Sequence, residues 1–297
     1  MNPDNLRAIG LMVGSMAAFA AEDMLIKVAS AALPTAQILT VLALGGAVIF
    51  ATLCRARGLP LAAPAFRHPL VLTRNGAEIV ATLSYVTALG LVPLSLNTAI
   101  LQATPLFVTM GAALWLRETV GWRRWTAVGV GLAGVLVMLR PGLEGFRPPA
   151  LLAAFAALML AVRDVASRRI PPEIPSLQLS FWAYLSLTPA AMVLLVLGPG
   201  PVAGDAPAWI ATAGAVGIGV FAYSLLVGAT RIGDVATVIP FRYSRLLFAM
   251  VLGVVLLGER PDLLTLLGAG LVVGSGLYAL WRERRLRRGL PTRARGA

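Results

Sequence analysis

Nine charged side chains stand inside otherwise apolar stretches of this chain: Glu22, Asp23, Lys27, Arg74, Glu78, Arg163, Asp164, Arg242 and Arg245. Five are cationic and four anionic, a net of +1. A charge in hydrocarbon costs about 2.5–3.5 kcal/mol on insertion scales, so it faces a partner or a wet cavity. A nearly balanced set suits a zwitterionic or polar neutral solute better than a strongly charged ion. Arg245 or Arg242 would bind such a solute's carboxylate, and Glu78 or Glu22 its amino group.

Helical spacing sorts the polar residues by face. Asn75, Glu78, Thr82 and Tyr85 recur at i, i+3, i+7 and i+10; Thr98, Gln102, Pro105 and Thr109 form a second stripe. Arg242 and Arg245 share a face, with Tyr243 beside them. The candidate substrate-binding set is therefore Glu22, Glu78, Tyr85, Gln102, Arg242, Tyr243 and Arg245. Thr82, Thr98 and Thr109 read more simply as hydroxyls bonding between packed helices. By depth, Glu78 and Arg245 fall near mid-span, while Lys27, Arg74, Arg163 and Asp164 fall nearer the ends. The i, i+4 spacing allows Asp23 to pair with Lys27 and Arg74 with Glu78 as structural ion pairs. Arg163, close to Arg168 and Arg169, is expected to snorkel to the interface. Glu22 has no local partner, which suits it to proton coupling or to an ammonium group.

The elements that must position these groups are apolar blocks long enough to cross a bilayer, which takes about 20 residues. Ten are present: Leu6–Ala29, Thr35–Leu53, Pro69–Leu89, Leu94–Leu116, Trp125–Leu139, Ala150–Val165, Leu177–Leu197, Trp209–Gly228, Val235–Leu257 and Leu263–Leu280. The chain is 58% hydrophobic and 13% charged, with mean hydropathy +0.83. Soluble domains run at about 45–50% apolar and about 25% charged. The fold expected is all-α: ten transmembrane helices with no soluble domain of consequence.

A net charge of +12 would suggest nucleic acid in a soluble protein, but its placement here points to a membrane. With both termini inside, 17 arginines fall in inner segments, seven of them between Arg282 and Arg295, and only Arg140, Arg147 and Arg260 fall outside. That asymmetry is the positive-inside pattern. It predicts a multi-pass plasma-membrane protein of bacterial inner-membrane type with cytoplasmic termini, its basic tail lying near anionic lipid and no nucleic acid as partner. Ala18-Phe19-Ala20 after an apolar run imitates a signal-peptide cleavage site, but the n-region has a single cation and apolar character resumes past Asp23. Cys54 and His68 are each alone of their kind, so neither a disulfide nor an ordinary zinc site is expected, and no cofactor is implied.

The chain is also written twice. Ala17-Ala18-Phe19-Ala20-Ala21 recurs as Ala153-Ala154-Phe155-Ala156-Ala157. A shift of 141 then aligns Leu106-Phe107 with Leu247-Phe248, Glu118 with Glu259 and Gly129 with Gly270. Residues 1–143 and 144–297 thus read as two five-helix repeats, the second followed by the basic tail. An odd number of spans turns the second copy upside down, the arrangement of transporters that alternate about a midplane site.

Each repeat has a helix ending in an acid, Leu116-Arg117-Glu118 and Leu257-Gly258-Glu259, and then a glycine-rich helix, Gly129 to Gly134 and Gly268 to Gly276. With Pro93-Leu94-Ser95 and Thr104-Pro105-Leu106-Phe107, this resembles the EamA-type members of the drug/metabolite transporter superfamily, with a general likeness to the YddG-type amino-acid exporters. The second copy departs at Arg245-Leu246, where Thr104-Pro105 would recur. The resemblance implies a secondary transporter, exporter or exchanger of small amphipathic metabolites, amino acids first and aromatic ones among them. A monomer is expected.

Two rival classes stay in view. An intramembrane lipid-modifying enzyme or protease would want a His-Glu-x-x-His zinc pair, a Gly-x-Ser-x-Gly elbow or an aspartate dyad; only Asp23 and Asp164 offer anything of the kind. A channel would want a repeated filter or a charged ring. The sequence has no phosphate loop, so a gradient would drive transport.

Overall fold

The computed structural model describes residues 3–117, 121–171, 173–198, 200–232 and 238–288. All regular structure in them is helical. The first repeat comprises α1 (Pro3–Ala29), α2 (Thr35–Ala56), α3 (Pro69–Leu91), α4 (Leu94–Leu101), α5 (Thr104–Leu114) and α6 (Trp122–Leu139). The second comprises α7 (Ala150–Ser167), α8 (Ser176–Leu197), α9 (Ala206–Ile232), a 3-10 turn (Ile239–Tyr243), α10 (Ser244–Leu257) and α11 (Leu263–Arg288). By length and composition alone, seven helices qualify as spans. The broken α4–α5, α3 with Arg74, Asn75 and Glu78, and α6, which opens on Trp122-Arg123-Arg124, complete the ten.

The packing reveals the symmetry directly. α1, first in its repeat, packs most extensively on α9, third in the other, and α7 packs on α3 in the same relation. α2 lies against α8, α4 against α10 and α6 against α11, so equivalent spans meet across a pseudo-two-fold axis. Backbone detail repeats too. Arg117 and Gly258, equivalent under the 141 shift, both adopt left-handed φ, 56° and 65°. The outward faces carry large apolar side chains, among them Ile210, Val255, Leu263 and Leu114, all strongly exposed as lipid-facing residues must be.

Two expected spans are broken where one helix each was anticipated. In the fourth, Pro105 has no N–H to give the Leu101 carbonyl, and the Thr104 hydroxyl donates to that oxygen at 2.6 Å instead. Gln102 and Ala103 N–H groups reach back three residues, closing the gap between α4 and α5. In the ninth, Pro240 opens the 3-10 turn before α10, and the first expected residues, 235–237, lie outside the described segments. A freed backbone group in lipid must find another partner, so such breaks belong where protein or a cavity surrounds them. Both breaks are internal, and they touch: Gln102 Nε2 donates to the Arg242 carbonyl at 3.3 Å.

Two helix starts at the end away from the termini are capped by aspartates. Asp205 accepts from Ala208 N–H at the start of α9, and Asp262 from Thr265 N–H at the start of α11. Arg140 also bonds Asp262 across the repeats and, with Thr265, holds its carboxyl well below the usual carboxylate range.

Glycine spacing at Gly10/Gly14 and Gly270/Gly274 suggests close helix crossings, but the structure puts them elsewhere. A Cβ at Gly10, Gly270 or Gly274 would meet nothing within 4 Å. The tight crossing joins α6 to α11 at Gly134 and Gly268, where a Cβ would come 2.7 and 2.6 Å from the other glycine's carbonyl oxygen. Backbone cannot yield as a side chain can. Gly268→Ala should therefore destabilise the protein by about 1–3 kcal/mol, in the range of overpacking. Gly270→Ala should leave the thermal midpoint of the purified protein in detergent unchanged. Equal midpoints for the two variants would contradict the crossing.

Candidate substrate site between the repeats

Seven of the nine embedded charges meet partners, chiefly from the opposite repeat. Asp23 of α1, 2% exposed, holds the Arg245 guanidinium of α10 through contacts of 2.7, 2.9 and 3.1 Å. Tyr85 of α3 donates its hydroxyl to the same carboxylate at 2.9 Å. The guanidinium also lies 5.0 Å over the Phe19 ring and 5.7 Å over that of Tyr85. In a second cluster, Arg163 of α7 donates to both oxygens of Glu78 on α3, at 3.0 and 3.1 Å, and at 2.7 and 2.9 Å to Asp164. Arg74 approaches Glu78 at 3.7 Å and donates to Asn75 and to the Leu179 carbonyl of α8.

These contacts revise three expectations. Asp23 pairs with Arg245 and not with Lys27; the lysine donates to the Val92 carbonyl at 2.6 Å, tying α1 to the turn before α4. Arg163 does not snorkel, because two carboxylates within reach hold it more strongly than an interface would. Glu78 and Arg245, expected as open substrate ligands, are both committed to protein partners. The Arg74–Glu78 pair does form, as the lesser contact of its cluster.

Two embedded charges remain. Among the described residues, the Glu22 carboxylate and the Arg242 guanidinium make no hydrogen bond or ion pair. They flank the central pair: Glu22 precedes Asp23, and Arg242 lies one turn before Arg245 in the broken ninth span. Glu22 rests on Gly219 of α9, where a Cβ would come 2.4 Å from its Oε1. Gln102 fixes the Arg242 backbone through its carbonyl, which anchors the turn while leaving the guanidinium free. The Tyr243 hydroxyl is pressed onto Gly276 of α11 and has no hydrogen-bond partner among the described residues.

An aromatic wall went unnoticed in the sequence. Tyr184 of α8 stacks on Phe50 of α2 with centroids 5.4 Å apart, and Tyr223 of α9 meets Phe50 edge-on at 5.4 Å. Tyr184 lies within electrostatic reach of both Glu22 and Glu78. A signal for it existed: all five tyrosines fall within the ten apolar spans, whereas tyrosine normally favours the interfacial belts.

The arrangement is a candidate opposite-charge site with tyrosines nearby, assembled from both copies of a repeat. A family model described as the EamA-like transporter family matches residues 6–140 and again residues 147–281. The chain belongs to that family. It is therefore a multi-pass membrane transporter of small metabolites and not an enzyme. Similar proteins include a riboflavin transporter of Vibrio cholerae, 28% identical over 66% of this chain and 66% of that one. An S-adenosylmethionine uptake transporter of Rickettsia prowazekii is 27% identical over 68% of each. The pseudopaline exporter CntI of Pseudomonas aeruginosa is 25% identical over 89% of this chain and 93% of its own. The match thus spans about two thirds of the riboflavin and S-adenosylmethionine transporters. A solved crystal structure shares the fold at TM-score 0.64 and 23% identity, covering 91% of this chain and 97% of that one.

The central ion pair should behave as a buried one. Removing one partner leaves an uncompensated charge and costs about 3–5 kcal/mol, whereas replacing both by apolar groups is often neutral. Asp23→Leu should sharply lower the thermal midpoint in detergent, and the double variant Asp23→Leu/Arg245→Met should recover most of the loss. Additive losses in the double variant would show that the two residues do not act as a pair.

Proposed function

We propose that this transporter carries a small zwitterionic metabolite, an amino acid or an amino-acid derivative, by alternating access about the Asp23–Arg245 pair. The observation that supports this reading is that, among the described residues, Glu22 and Arg242 alone of the nine embedded side chains make no hydrogen bond or ion pair. Arg242 binds the solute carboxylate and Glu22 its ammonium group, one of the two candidates that the sequence offers for each role. Tyr184 and Tyr223 offer a flat, polarisable wall to the side chain or ring. Tyr85 and Gln102 act one step back, the first orienting Asp23 and the second holding the Arg242 turn.

The relatives favour a metabolite with polar ends and a sizeable body. S-adenosylmethionine carries an α-amino-acid end, and riboflavin carries a flat ring suited to an aromatic wall. None of these three relatives singles out the YddG-type branch. Their names include both uptake and export, so either direction fits the same site. The positive-inside charge pattern supports cytoplasmic termini in a bacterial inner membrane. The breaks in the fourth and ninth spans, which meet at Gln102 and Arg242, supply the hinge.

Transport by purified protein in liposomes tests the assignment. Counterflow of a panel containing amino acids, S-adenosylmethionine and riboflavin should show a saturable substrate. Glu22→Gln and Arg242→Gln should each reduce its transport at least tenfold with folded protein retained. Undiminished counterflow in both variants would remove these residues from the site. If no panel member moves, the zwitterion assignment falls.

A further inference from the structure

At the end of the bundle opposite the termini, a cavity of about 180 Å³ opens between the repeats, lined by Ser95, Arg140, Arg147, Glu259, Arg260 and Asp262. The three arginines are the same three that the charge pattern leaves on this side of the membrane. Their convergence is unexpected of topology signals, which need only be on the correct side. Arg140 is committed to Asp262. Arg147 and Arg260 are exposed, and their guanidinium groups make no ion pair or hydrogen bond among the described residues.

The cavity floor already holds a carboxylate. Glu259, just beyond the end of α10, accepts from Leu94 N–H, from Ser95 N–H at 3.0 Å and from the Ser95 hydroxyl at 2.7 Å. Those donors belong to the N-terminus of α4, in the opposite repeat, buried beneath the acid, where the helix dipole adds to the attraction. Room for the acid comes from Gly253, where a Cβ would stand 2.7 Å from Glu259 Oε2, and its direction from the left-handed Gly258. The contact is thus a strut between α10 and α4, whose break lies at the central site. Its chemistry is that of an oxyanion receptor filled by the protein itself.

We propose that this cavity is an oxyanion-binding vestibule. Arg147 and Arg260 draw in a solute carboxylate or phosphate, which competes with Glu259 for the α4 N-terminus and so loosens the strut. This deepens the transport reading, since it gives an acidic group of the solute a place outside the central site, but the binding it predicts is measurable without transport.

The test uses the full chain in neutral detergent free of anionic lipid. Sodium citrate and inorganic phosphate are titrated against chloride at matched ionic strength, and the thermal midpoint is followed. Saturable stabilisation by at least one of the two anions is expected. The exposed-site double variant Arg147→Gln/Arg260→Gln should weaken the apparent affinity at least tenfold. Glu259→Gln should strengthen it severalfold, because the competing charge is gone while the side chain keeps its shape. A role confined to folding would not tighten binding. The absence of a saturable shift, or affinities unchanged in both variants, would overturn the proposal. Repeating the titration in nanodiscs separates the sources. A shift retained in both phosphatidylcholine and phosphatidylglycerol supports a soluble anion. One lost only in phosphatidylglycerol assigns the vestibule to lipid headgroups and overturns the solute reading.

Discussion

A charge within hydrocarbon is tolerable only when something of opposite sign, or water, stands against it. Here the neutralising group comes mainly from the other copy of the repeat. Asp23 and Glu78 belong to the first copy, while Arg245 and Arg163 belong to the second. The two halves are therefore more than packed surfaces: each satisfies charges that the other cannot satisfy alone. The same logic extends to backbone. The α4 N-terminus is capped by Glu259, and the Arg242 carbonyl is held by Gln102, in each case across the same boundary. Symmetry makes this economical, since equivalent spans meet at the axis and each break in a helix lies beside its counterpart.

A site so built is set to be switched. The paired charges hold the frame, and the unpaired Glu22 and Arg242 stand next to them in sequence and space. On the transport reading proposed above, a ligand bound at these two would stand beside Asp23 and Arg245, and a change in field there would be felt by a bidentate pair shared between the halves. The far strut at Glu259 and the central pair are joined through α10 and α4, short rigid pieces ending at the two breaks.

How far the sequence could be read depended on the range of the interaction. Apolar runs of spanning length, the cation asymmetry and the repeat are local or global patterns, and they foretold the all-helical two-repeat fold. Pro105 and Pro240 marked the broken spans, but a proline also permits a simple kink. What separates the fourth span into two helices is the Thr104 hydroxyl taking over the Leu101 carbonyl, a detail of side-chain placement. Charge partners were harder still. Spacing suggested Asp23 with Lys27, four residues apart, while the true partner lies 222 residues away. Nothing in one chain's composition encodes that choice; it follows from how α1 and α10 meet. Tyr184 and Tyr223 were legible in principle, being tyrosines far from any interface.

The cross-repeat pairing also has a history in every newly made molecule. Synthesis runs from the N-terminus, so Asp23 and Glu78 leave the ribosome before Arg163 and Arg245 exist. Until then Asp23 lacks its arginine and Glu78 has only the longer Arg74 contact, so these acids gain their full set of partners only with the arrival of α7 and then α10. The chain's ionic ties thus act as a completion check: a nascent half keeps its polar face until its inverted twin has been delivered.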